Sequence, residues 1–199
     1  MDLPDGEGAQ QYALRRLEAD LSPALVYHSV WHTREDIVPA TLCLAEAEGV
    51  TGMDLLLLRV AAHYHDIGFV VQRAEHELAG IRIAAEVLPS FGFGPAQIAS
   101  IASIIMATKL PQSPRDHLGQ ILADADLDVL GRADFMARNA QLRVELAAFG
   151  EAMADARWYT GQLGFLRGHT YFTASARAAR REGKARNAQA LERLLESAR

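Results

Sequence analysis

The apolar residues of this chain recur at helical spacing over most of its length, and this spacing constrains the fold more than any other feature. A stripe of isoleucines shows the pattern: Ile98, Ile101, Ile104 and Ile105. No segment alternates polar and apolar residues with the period of two that marks a half-buried strand. The sequence therefore predicts an all-α fold, organised as a helical bundle.

Residues that cap or break helices set the expected boundaries. Proline and glycine end several apolar stretches, and a proline inside a helix removes a hydrogen-bond donor, so we expect a bend near Pro39. We expect a loop over residues 110–116. Helices are predicted over residues 9–20, 24–47, 51–65, 75–88, from 95 onward, 117–130, and 132–156 and beyond.

The chain has 199 residues, of which 50% are hydrophobic, and this is enough for one sizeable core. We therefore predict a single domain with three parts. Residues 1–22 would form an N-terminal helix, residues 23–131 the helical core that holds the functional site, and residues 132–199 a C-terminal helical extension packed on that core.

Several features bear on the compartment. Cys43 is the single cysteine, so no intramolecular disulfide can form, as expected in a reducing compartment. The N-terminal residues lack the basic start and apolar run of a signal peptide. No apolar stretch approaches the roughly 20 residues that a membrane-spanning helix needs. We expect a soluble, cytoplasmic protein without a membrane partner.

The net charge of −5 conceals an uneven distribution. Up to Leu130 there are 8 basic and 18 acidic residues, whereas from Gly131 onward there are 12 basic and 7 acidic residues. Overall acidity argues against long nucleic acid as the main partner, because such binding depends on many Lys and Arg contacts to phosphates. The sequence leaves open whether the chain forms homo-oligomers.

Three short segments concentrate imidazoles and carboxylates within apolar surroundings. They are His28–His32, His63–Gly68 and Asp124–Asp128. A charged carboxylate that is buried without a partner is very costly, so these segments need one. A divalent cation is the simplest partner, because neutral imidazole and carboxylate are both good metal ligands.

The spacing also limits how such a site can be built. His65 and Asp66 point about 100° apart on a helix, so they can flank one ion only if other helices close the site. His32 and one of the acidic residues in Asp124–Asp128 would do this. His28 and His32 are four residues apart, and we expect them to share a helix face.

The ordered set of His32, His65-Asp66 and Asp126 resembles the H…HD…D signature of the HD superfamily of metal-dependent phosphohydrolases. The flanking residues resemble family motifs too, over roughly residues 27–131. Residues 27–33 are similar to the YHNxxHT segment, residues 58–68 to the L..A.LLHDIG segment, and residues 121–131 to the DADL..LG segment.

This resemblance implies one divalent metal ion held by His32, His65, Asp66 and Asp126, with Asp124 as the alternative fourth ligand. Mn, Fe, Co, Ni, Zn and Mg all suit such a set, and the spacing does not choose among them. A second metal ion is the less favoured arrangement.

The resemblance also implies hydrolysis of a phosphomonoester or phosphodiester by a metal-activated water. The substrate would be small, and nucleotides, cyclic nucleotides, sugar phosphates and other esters all stay open. His28 would protonate the leaving group, because an imidazole titrates near working pH. Asp66, or the closing Asp, would accept the proton of the water. Candidate contacts to the substrate phosphate are His76, Lys109 and Arg143.

Two other functions stay open. An HD-type di-iron oxygenase would need two further histidine ligands between Asp66 and the closing Asp, and the available residues are His76 and His117. A ligand-sensing module that keeps the fold without catalysis is the second alternative.

Overall fold

Nine α-helices and no strand are found in the part of the chain that the computed structural model describes, residues 3–198. The prediction of an all-α fold is confirmed. The helices are α1 (Gly6–Asp20), α2 (Val38–Ala47), α3 (Gly52–Tyr64), α4 (His76–Val87), α5 (Pro95–Met106), α6 (His117–Asp126), α7 (Phe135–Ala148), α8 (Asp155–Gly168) and α9 (Ala174–Ser197).

The described residues divide into two compact units. The first unit comprises residues 3–22 and His28–Asp126, and the second comprises Pro23–Tyr27 and residues 127–198. Helix α3 is central to the first unit, where it packs against α1, α2 and α5. Its residues Leu58, Val60 and Ala61 are fully buried. A helix that is apolar around most of its circumference must be covered on several sides, and α3 meets that requirement.

The chain ahead of α2 differs from the single helix predicted over residues 24–47. Helical backbone begins only at Val30, so the prediction is wrong for residues 24–29. The backbone N–H of Tyr27 donates to the carboxylate of Glu145 over 2.8 Å instead of to a helical carbonyl. The hydroxyl of Ser29 accepts the N–H of His32 over 3.4 Å, as a helix N-cap does.

The first turns of this helix are wider than an α-helix. Residues His32–Ile37 form a π-helix, in which the N–H of Val38 donates to the carbonyl of Thr33, five residues earlier. The wide turn directly precedes Pro39, where the sequence predicts a bend. A proline has no N–H to donate, so the helical hydrogen-bond ladder is already interrupted there.

A close backbone contact brings α4 to the end of α3. Residues Ile67–Val70 form a 3-10 turn after Asp66. A Cβ atom on Gly68 would lie 1.8 Å from the carbonyl oxygen of His76, so only glycine fits. The missing side chain lets the first residue of α4, His76, approach Asp66.

The second unit has its own apolar core. Leu130, Phe135, Leu163, Leu166 and Leu191 form a buried cluster there. Helix α9 packs against α8 and against the 3-10 turn Asp128–Gly131.

Two of the predicted helices end earlier than expected from sequence. The helix predicted over residues 117–130 ends at Asp126, where the 3-10 turn follows. The helix predicted over residues 132–156 is divided, because α7 ends at Ala148 and Gly150 adopts a φ of 86°. Glycine takes this left-handed conformation at little cost, so it stops the helix.

Within residues 3–198, none of the helices combines the length and the apolar character that crossing a membrane requires.

Candidate metal centre

Three buried side chains of the first unit converge at the end of α3. His65 follows the last residue of α3, Asp66 is next in the chain, and His32 begins the π-helix. Nε2 of His65 lies 3.2 Å from Oδ2 of Asp66, and Nε2 of His32 lies 3.9 Å from the same oxygen. Together these three residues form a group that could hold a metal ion.

Asp126 approaches this group from the end of α6. Its Oδ1 lies 4.0 Å from Nε2 of His32 and 3.7 Å from Nε2 of His65. Asp124 is fully buried and points about 200° away from Asp126 around the helix. Asp128 belongs to the second unit, where Arg180 donates to its carboxylate over 2.9 Å. Asp126 therefore lies near the two histidines, whereas Asp128 is paired within the second unit.

The orientation of both imidazoles suits a metal ion. Nδ1 of His65 lies 2.8 Å from the carbonyl oxygen of Ala62, and Nδ1 of His32 lies 3.4 Å from Oδ2 of Asp36. Metal-binding histidines commonly use one ring nitrogen in this way, which leaves the lone pair of Nε2 for the ion. Nε2 of His65 and Oδ2 of Asp66 are buried and make no hydrogen bond with any described residue. A divalent cation would give both atoms a partner.

The pKa values of His65 and Asp66 also favour a bound cation. Burial lowers the pKa of His65, but the nearby carboxylates of Asp66 and Asp126 outweigh it and raise this pKa to about 9. Burial raises the pKa of Asp66, but His65 and His76 hold it well below its usual range. The carboxylates that favour a positive charge on His65 would favour a bound cation in the same way.

A cavity of about 330 Å³ opens beside the ligand group, and we call it the metal-site cavity. Asp66 and Asp126 contribute to its wall, and His28, His76 and Lys109 line it as well. Lys109 as a contact to the substrate phosphate stays a prediction. The ammonium group of Lys109 also donates to the carboxylate of Glu75 over 3.1 Å.

His28 does not share a helix face with His32, because it precedes the first helical residue, Val30. The expectation from their four-residue spacing is therefore wrong. Their rings nevertheless lie 6.0 Å apart, edge to face. His28 reaches the metal-site cavity from the irregular segment before the helix.

Phe69 holds two cavity histidines in place. Its ring stacks on that of His28 with 4.6 Å between centroids, and on that of His76 with 3.9 Å between centroids. Sequence reasoning missed Phe69, because an apolar residue in an apolar segment gives no sign of such a contact. The phenyl ring restricts the rotation of both imidazoles, so it is a positioning residue.

His76 lies against the second oxygen of a metal-ligand candidate. Its Nε2 is 3.4 Å from Oδ1 of Asp66, and its Nδ1 is 3.2 Å from the carbonyl oxygen of Arg73. Burial lowers the pKa of His76, but the carboxylate of Asp66 raises it by more. A substrate-binding role for His76 stays a prediction.

Two sequence candidates contact other residues. Arg143 belongs to the second unit, where its guanidinium donates to Asp155 over 2.6 Å and to the carbonyl of Met153 over 2.7 Å. His117 is the first residue of α6, about 13 Å along the helix axis from Asp126. Its Nε2 lies 3.5 Å from the carboxylate of Glu48. Its position does not provide the extra ligand that a di-iron oxygenase would need.

Comparison with known proteins now adds to this geometry. The family model of the HD domain matches residues 40–128. The chain contains an HD domain. The fold is also similar to that of a predicted HD superfamily hydrolase from an uncultured Thermotogales bacterium, with a TM-score of 0.65 and 20% sequence identity over 98% of this chain and 93% of that one. A sequence search of curated proteins finds no match.

The matched part of the HD domain contains three of the four predicted ligands. His65, Asp66 and Asp126 lie within residues 40–128, whereas His32 lies eight residues before the match begins. In the folded chain His32 nevertheless lies close to His65 and Asp66 in the buried group. Asp126 as the fourth ligand stays a prediction.

Asp36 should control the affinity of the HD domain for metal, because its carboxylate lies beside Nδ1 of His32. We expect Asp36→Asn to weaken metal binding by about 10–100-fold. Chelator competition would measure the affinity, and Glu35→Gln, an exposed neighbour, is the matched control. Equal affinities for Asp36→Asn and the unaltered chain would contradict this role.

Proposed function

We propose that this HD-domain protein is a metal-dependent phosphohydrolase that acts on a small phosphoester. The observation that carries the proposal is the convergence of His32, His65, Asp66 and Asp126 beside a cavity whose wall includes Asp66, Asp126 and Lys109. The structural neighbour from the Thermotogales bacterium is a predicted hydrolase, and this supports the same reaction class.

His32, His65, Asp66 and Asp126 would hold the ion. A bound divalent cation would polarise a phosphoryl oxygen and acidify a water molecule so that hydroxide is available near neutral pH. The metal-site cavity, at about 330 Å³, falls within the usual range of small-molecule sites and fits a small ester.

Three side chains of the cavity would then act on the substrate. Lys109 would attract the anionic phosphoryl group, a cationic contact of the kind that phosphoryl chemistry requires. Asp126, whose pKa is raised by burial and by the neighbouring charge of Asp66, can accept a proton from the water. His28, held by Phe69, would donate a proton to the leaving oxygen.

A panel of esters tests the proposal. The purified protein, after elemental analysis of its metal, would be offered phosphomonoesters, phosphodiesters and carboxylic esters with the same nitrophenol leaving group. We expect turnover of phosphoesters that a chelator abolishes and a divalent cation restores. Turnover of carboxylic esters alone would contradict the phosphoester assignment. Full metal content without any turnover would instead favour a ligand-sensing module.

A further inference from the structure

A second cavity lies wholly within the second unit. It has a volume of about 370 Å³ and lies between the end of α8, the residues that follow it, and α9; we call it the α8–α9 cavity. Among the described residues, none lines both this cavity and the metal-site cavity. Four of its lining residues, Leu166, Tyr171, Ala185 and Ala188, are mainly apolar, and we call this apolar part of the lining the floor.

The rim of the α8–α9 cavity is cationic. Arg177, Arg181 and Lys184 follow one another at helical spacing, so they lie on one face of α9. Arg167, at the end of α8, also lines the cavity and pairs with Glu192. No carboxylate of residues 3–198 forms an ion pair with the three cations of α9. The rim therefore carries positive charge that the described chain does not neutralise.

His169 adds a hydrogen-bond donor to this lining. The ammonium group of Lys184 lies 3.3 Å from Nδ1 of His169 and also donates to the backbone carbonyl of the same residue. An ammonium group has no acceptor, so Nδ1 must accept and the ring hydrogen must be on Nε2. Nε2 is buried and has no hydrogen-bond partner among the described residues. A buried donor without an acceptor is costly, and an anion would supply the acceptor.

The pKa of His169 indicates that its ring carries a single N–H. Burial and, to a smaller extent, the charge of Lys184 lower the pKa of His169 to about 4. The ring is therefore neutral at physiological pH and has a single N–H. It donates without adding a charge to the rim.

We propose that the α8–α9 cavity binds a small organic phosphate, whose anionic group contacts Arg177, Arg181 and Lys184 and whose apolar part lies on the floor. Guanidinium groups match the geometry of phosphate oxygens, and this favours phosphate over other anions. The apolar floor favours a ligand with an organic body over free phosphate. The volume limits the ligand to a small molecule.

Phenylphosphonate is a suitable probe, because it combines a ring with a phosphonate dianion and has no ester bond to hydrolyse. Calorimetric titration of the full chain in the presence of a chelator should show one binding site. Arg181→Glu should weaken binding at least about tenfold, because it replaces a charge-assisted contact with repulsion. Arg193→Glu is the matched control, an exposed residue of α9 with the same change of charge that does not line the cavity.

Several results would overturn the proposal. The first is that phenylphosphonate does not bind. The second is that Arg181→Glu and Arg193→Glu lose the same amount of affinity for it. The third is that inorganic phosphate binds as tightly as phenylphosphonate. Asp66→Ala should leave the affinity for phenylphosphonate unchanged. If this variant lost that affinity, the probe would bind at the metal centre instead. The titration needs neither metal nor turnover, so its outcome is independent of the proposed hydrolase activity.

Discussion

Asp66→Ala is expected to remove the metal ion and the phosphoester turnover together. Asp66 offers one oxygen to His65 and His32 and the other to His76, so its loss removes a ligand and also the charge that draws a cation into the centre. Metal ions supply several kcal/mol to such reactions, so activity should fall on the order of 10³-fold or more. Elemental analysis and a nitrophenyl phosphate assay would be read on the same sample.

Asp54→Ala is the control for this experiment, because Asp54 lies exposed in the first turn of the same helix, α3. This variant should keep its metal and its activity. Thermal melts of both variants would separate loss of the ion from loss of the fold. If Asp66→Ala retained one ion per chain, the assignment of Asp66 as a ligand would have to be abandoned.

His28→Asn should leave the metal content intact and lower turnover by about 10²–10⁴-fold on esters with poor leaving groups. The ring of His28 lines the metal-site cavity and stacks on Phe69, a position suited to proton donation and distinct from the ligand group. The loss should shrink when the leaving group is nitrophenolate, because that group departs without a proton.

The comparison between leaving groups decides the role of His28. A residue that serves only packing would lower the melting temperature and reduce turnover equally on good and poor leaving groups. Trp31→Phe, a change at a largely exposed aromatic residue nearby, controls for general disturbance of this segment. Equal losses on the two substrate types would remove His28 from the proton-transfer step.

The helical class of the fold could be predicted from the sequence because amphipathic spacing is a local signal. The sequence did not reveal that helical backbone ahead of α2 begins only at Val30. The N–H of Tyr27 is bonded to Glu145, 118 residues further along the chain, and no local pattern reveals such a contact. The end of α7 was also missed. Gly150 stands in a segment that otherwise favours a helix, and its left-handed conformation is seen only in the structure.

The metal ligands were accessible from sequence because imidazole and carboxylate side chains stand out in apolar segments. The residues that orient them were harder to find. Asp36 lies four residues after His32, a spacing that could have indicated its contact with the ring. Phe69 contacts His28 and His76 through stacking, and an apolar side chain in an apolar segment carries no distinguishing mark. Arg143 was selected on charge alone, and it pairs with Asp155.

The π-helix over His32–Ile37 has a consequence for how such sites are recognised in other chains. A wide turn accommodates one more residue than an α-helical turn between the same two points in space. In a related chain with a regular α-helix here, the first histidine could occupy the same position in space. The number of residues between that histidine and the His-Asp pair would then be smaller by one. Counting residues between ligands would then treat the two sites as different, although their coordination geometry is the same. The HD-domain match begins at residue 40, downstream of this turn, and so does not include His32.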